Sequence, residues 1–103
     1  MPTGRRRAAY YGDKPQEITI LTGTATLDFP SIAAGTTAEL TITVTGAVVG
    51  NPVALAPPAT LTAGLIASGR VTAANTVTVR MANVTSGAID PASATWGAAV
   101  IQT

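Results

Sequence analysis

The chain contains no cysteine and no histidine. The first absence excludes disulfide staples and thiol nucleophiles, the second the usual general base, and together they exclude the common zinc sites. Charge is scarce as well. Only 11% of the 103 residues are Asp, Glu, Lys or Arg, against about 25% in an ordinary soluble domain. Aromatic residues make up 4%, so rings cannot fill most of a core. What the chain has instead is 20 alanines and 18 threonines. With so few ions, hydroxyls must clothe its surface or neighbouring molecules must cover much of it. Its length fits one domain and leaves no room for two.

The net charge of +1 hides a division along the chain. Residues 1–17 carry Arg5, Arg6, Arg7 and Lys14 against Asp13 and Glu17, which is +2. Residues 18–103 carry Arg70 and Arg80 against Asp28, Glu39 and Asp90, which is −1. A body with five charges lacks the mixed-charge coat that keeps a free monomer dispersed. Oligomerisation, or attachment to a larger surface, is the natural expectation.

Residues 40–69 contain no charge, and 30 residues are long enough to span a membrane. Pro52, Pro57, Pro58, internal glycines and five threonines exclude a spanning helix there. Arg5–Arg7 lead into Ala8, Ala9, Tyr10, Tyr11, Gly12 and Asp13, so no apolar stretch of signal-peptide length follows them. The expectation is a soluble protein made in a reducing compartment, without membrane contact.

Residues 1–16 show no period of 2 or 3.6, so they read as an extended basic N-terminal arm with no apolar face to order it. From residue 17 to 103 the pattern changes to alternation. Ala25, Leu27 and Phe29 alternate with Thr24, Thr26 and Asp28. Leu40, Ile42 and Val44 do the same against Thr41, Thr43 and Thr45, and Val77, Val79 and Met81 against Thr76, Thr78 and Arg80. Such runs of β-branched residues predict strands buried on one face. Weaker strands are expected over 17–21, 53–56, 64–72 and 95–102, separated at Gly23, Pro30, Gly35, Gly46, Gly50-Asn51-Pro52, Asn75, Gly87 and Pro91. No dozen-residue window carries a helical apolar stripe free of Pro and Gly, despite the alanine content. The expected fold is all-β: a small antiparallel β-sandwich or barrel with a light core that an oligomer would supplement.

Few residues suggest chemistry. Asp28, Glu39 and Asp90 lie in different segments, too far apart in sequence to suggest an acid–base pair. Serine nucleophiles have no histidine, and no phosphate-binding glycine loop or cluster of metal ligands occurs. No catalytic, metal or cofactor site is expected, and the chain does not read as an enzyme. Asn83-Val84-Thr85 matches a glycosylation sequon, which carries no weight without a secretion signal. The sharp local feature is Arg5, Arg6 and Arg7 beside Tyr10 and Tyr11. Guanidinium forks with tyrosine anchors suit docking on an acidic protein surface. Three arginines would bind nucleic acid only weakly, and the acidic body opposes it. Trp96 is expected in the core or at a subunit interface. Arg70 and Arg80 are expected either in intersubunit ion pairs or facing solvent.

Residues 67–85 (ASGRVTAANTVTVRMANVT), with Ile89-Asp90-Pro91-Ala92-Ser93-Ala94-Thr95-Trp96 and the Gly-Asn-Pro turn and Pro-Pro pair of 46–65, resemble a module of bacteriophage virion proteins. Similar segments occur in capsid decoration (cement) proteins, head fibres and tail-fibre ends. The resemblance spans about residues 18–102, omits the arm and carries no catalytic residues. It implies a jelly-roll-type sandwich assembling as a homotrimer. Seventeen residues precede the module here, where a fibre would carry a long shaft, so a cement protein is the expectation. Its partners would be the major capsid protein and itself, its place the outer capsid surface, and its site of synthesis the bacterial cytoplasm. The alternative is a head-fibre or tail-fibre adhesin binding a host receptor or glycan.

Overall fold

A computed structural model describes the backbone of residues 4–11 and 14–102 and the side chains of residues 18–102. Seven strands follow one another: β1 (Gly4–Tyr11), β2 (Lys14–Leu27), β3 (Thr37–Thr43), β4 (Val53–Ala56), β5 (Leu65–Ala73), β6 (Thr76–Asn83) and β7 (Ala94–Gln102). All pairings are antiparallel and no helix forms among the described residues. One sheet has the order β1-β2-β7-β4 and the other β3-β6-β5. The all-β expectation therefore stands. The three clean alternating runs fall on β2, β3 and β6, and their apolar residues point inward.

Both sheets feed one core. Leu21 and Leu27 from β2, Ile42 from β3, Val77, Val79 and Met81 from β6, and Trp96, Ala98 and Val100 from β7 are all buried. Phe29, Ile32 and Val44 join them from loops. Burial alternates along β7 as a pleated strand with one less buried face requires, and β6 keeps the same rhythm except at Thr78, which is buried on the outward face.

Two local readings need correction. Gly23, expected to break a strand, lies inside β2 opposite Ala98. A Cβ there would collide with the Thr43 carbonyl oxygen, so glycine serves the close approach of β3 to β2. The basic arm is also not a lone extended tail. Its backbone forms β1, which pairs with the first half of β2: Arg5 opposite Thr19, Arg7 opposite Glu17, Tyr11 opposite Lys14, with an irregularity between Arg7 and Ala9. Backbone hydrogen bonds need no apolar periodicity, which is why the arm's sequence did not disclose them.

This pairing gives the molecule its shape. β7 pairs with β2 only from Thr19 onward, so Lys14–Ile18 and the matching part of β1 form a two-stranded ribbon beyond the rest of the sheet. The chain with its ribbon measures 54 × 26 × 23 Å, a long axis consistent with the 14 residues of β2 at about 3.4 Å each. The ribbon leaves from the end where β7 finishes and β6 begins, here called the ribbon end.

Candidate functional site

The hairpin joining β5 to β6 turns at Ala74-Asn75, where Asn75 takes a φ of 63°. Asparagine is among the few side-chain-bearing residues that enter this region readily. Its side chain then works at the ribbon end: Asn75 Oδ1 accepts from the Gly46 amide at 2.7 Å. Asn51 Oδ1 accepts from the Val48 amide at 3.0 Å and from Gln102 Nε2 at 2.9 Å. Gln102 Nε2 also donates to the Gly46 carbonyl at 2.9 Å. Asn75 and Gln102 from distant parts of the chain, with the loop's own Asn51, thus clamp the 46–51 loop. The loop holds out Val48 and Val49, 56% and 62% exposed. Paired valines between Gly46 and Gly50 were the only sequence signal of this knob, and the clamp itself had none.

The opposite end of the body, where β7 begins, bears a small pocket of about 90 Å³. Phe29, Met81 and Trp96 line it together with Leu61, Pro91 and Thr60. It has no charged lining residue and is far smaller than the roughly 300 Å³ at which small-molecule sites begin. It has room for one aliphatic side chain rather than a substrate. Asp28 and Asp90, both exposed, adjoin the lining residues Phe29 and Pro91 in the chain.

The outward face of the β3-β6-β5 sheet is polar. Glu39 lies opposite Arg80 in the register, and Glu39 Oε2 accepts from Arg80 Nε at 2.7 Å and from Arg70 Nη1 and Nη2 at 3.2 Å. The hydrogen bond from Arg80 is the main cause holding the Glu39 carboxyl below its ordinary value; desolvation opposes it, and the Arg70 hydrogen bond and the charge of both guanidinium groups add to the lowering. All three side chains remain well exposed, so the triad orients the face more than it stabilises the fold. Threonines surround it. Thr72 Oγ1 and Thr78 Oγ1 share a hydrogen bond of 2.7 Å, which satisfies the buried Thr78 hydroxyl.

The residues singled out in the sequence separate accordingly. Arg5, Arg6, Arg7, Tyr10 and Tyr11 have their backbone on β1, while their side chains lie outside the described residues. Arg70 and Arg80 come together through Glu39 of the same chain. Trp96 is 2% exposed and meets Phe29 edge-on, with ring centroids 5.8 Å apart. It therefore belongs to the chain's own core, the first of the two places expected for it.

Asn83 of the sequon is 1% exposed. Its Nδ2 donates to the carbonyls of Ile32 and Gly87, both at 2.8 Å, and its Oδ1 accepts from the Thr85 amide and hydroxyl at 2.9 and 2.7 Å. A glycan cannot be attached there in the folded chain. Among the described residues no three Asp or Glu side chains gather as metal ligands. No helix among them is long and apolar enough to cross a membrane. The chain matches no known protein family, and no curated protein or solved structure is similar to it.

Proposed function

We propose that this chain is a structural virion protein: a decoration or cement protein whose jelly-roll-like β-sandwich assembles as a homotrimer on the outer surface of an assembled phage head. The observation that carries this reading is the basic ribbon. A two-stranded hairpin is marginal in water by itself. The outer part of this one, Arg7–Tyr11 with Lys14–Glu17, extends beyond the β7 pairing. Such an element is best explained by a surface on which it lies, and three arginines with two tyrosines suit an acidic protein surface.

The proposed mechanism is thermodynamic. Each trimer would place three ribbons along junctions between major capsid proteins, so modest contacts combine through effective concentration. Binding the expanded shell and not its precursor stabilises that shell by linkage, about 2.7 kcal/mol per site at a hundredfold excess over Kd. The hydroxyl-rich outer face and the lack of a reactive cluster among the described residues fit a part that is held, not one that turns over. Phe29 and Trp96, the aromatics a glycan would need on the body, are both buried. That leaves the adhesin reading without a specific observation in its favour.

Deleting residues 1–16 and measuring occupancy on expanded heads tests the docking role. Occupancy is expected to fall at least tenfold at equal protein concentration. Equal decoration by the truncated and intact chains would overturn ribbon docking.

A further inference from the structure

The two ends of the body are complementary to each other. The ribbon end carries the backbone of Arg5, Arg6, Arg7 and Lys14, against that of Glu17, and the clamped, exposed Val48–Val49 knob. The pocket end carries Asp28 and Asp90, both exposed, and an uncharged, mostly apolar pocket lined by Phe29, Met81 and Trp96 with Thr60 and Thr62. The other three charges, Glu39, Arg70 and Arg80, are engaged with one another between the ends. Positive charge with an apolar projection therefore stands at one end, and negative charge with an apolar recess at the other.

We infer that a second copy of this chain docks head to tail, its valine knob entering the pocket beside Trp96 while its basic ribbon root faces Asp28 and Asp90. The knob is well suited to this. Two valines held out by Asn51, Asn75 and Gln102 are prepared for burial, with little ordering left to do on contact. The pocket takes one branched aliphatic side chain and excludes anything large. Charge of opposite sign around the two patches sets their orientation and opposes knob-to-knob or pocket-to-pocket contacts.

Such a contact joins two different patches, so it is heterologous. Successive copies then close into a ring if their rotations complete a turn, or form a filament if they do not. A cyclic trimer needs this kind of contact, because each copy must offer one patch to the copy before it and another to the copy after it. The inference rests on the self-association part of the proposed function and names the surfaces that would produce it.

Mixing two disabled chains provides the test. Val48→Asp/Val49→Asp removes the knob, and Thr60→Arg/Asp90→Lys blocks the pocket and reverses its charge. All four positions are exposed, so both variants should melt like the parent, which circular dichroism checks. Sedimentation velocity is expected to show each variant self-associating at least tenfold more weakly than the parent. An equimolar mixture should form a two-chain species that grows no further, because one sound knob and one sound pocket remain. On the unaltered chain, raising NaCl from about 0.05 to about 0.5 M should weaken association about tenfold.

Parent-like association of either variant, or a mixture of folded variants that stays monomeric, would overturn the contact. A trimer that survives both sets of substitutions would overturn these surfaces while leaving the trimer itself in place. Association unaffected by salt would overturn the role given to the charges.

Discussion

Trp96→Ala is expected to lower unfolding free energy by about 3–5 kcal/mol, read from urea denaturation followed by far-UV circular dichroism. The ring is 2% exposed and packs edge-on against Phe29, the other large ring of the core. Apart from Met81, the core around it is built from valine, isoleucine, leucine and alanine, short side chains that cannot expand to fill the vacated space. Small domains hold only about 5–15 kcal/mol in all, so this loss is a large fraction of the total. Trp96→Phe keeps a ring against Phe29 and should cost less than half as much. Equal losses for Ala and Phe would show that the Phe29 contact does not set the stability of this region.

Asn83→Ala is the second large effect, about 2–4 kcal/mol by the same measurement. The amide is buried, with both of its donor hydrogens and its oxygen in use. Its loss strands the Thr85 amide and leaves the Ile32 carbonyl with the Ile89 amide as its remaining donor, and burial without a partner is what makes such groups expensive. The backbone of the same residue accepts from Gly35 and donates to Thr36, so Asn83 also ties the 32–36 loop to the end of β6. The 85–87 loop should therefore loosen first, with faster amide exchange at Thr85 and Ile89 before global unfolding. A variant as stable as the parent would mean that water replaces the amide at no cost.

Much of the fold could be read in the sequence. Val77, Val79 and Met81 alternate with Thr76, Thr78 and Arg80, and that period alone located β6 and its buried face. Leu40 and Ile42 did the same for β3. β1 could not be read in this way, because a strand held by backbone pairing leaves no apolar signature. Gly23 was misleading for a related reason: a glycine that allows two backbones to approach looks the same in sequence as one that ends a strand. The partner of Arg70 and Arg80 depended on register. Glu39 is 31 residues from Arg70 and 41 from Arg80, and only the β3-β6-β5 order brings them together.

The functional surfaces divide along the same line. The charge asymmetry was plain once the +1 was split at residue 17. Its meaning required the topology, which sets β1, the strand that carries Arg5–Arg7, at one end and Asp28 and Asp90 at the other. Gln102 is 56 residues from Gly46 and 51 from Asn51, so no local pattern announces the clamp under Val48 and Val49. The scarcity of charge sharpens into a pattern of placement: five ions in the body, three of them spent on one another, and two left at the pocket end.

Self-assembly is the central claim, since the proposed docking on a capsid and the inferred head-to-tail contact both depend on it. Sedimentation equilibrium of the isolated chain at micromolar concentration tests it most directly. The expected result is a species of about 31 kDa, three times the 10.3 kDa chain. A folded species that stays at 10.3 kDa across the concentration range would contradict the account.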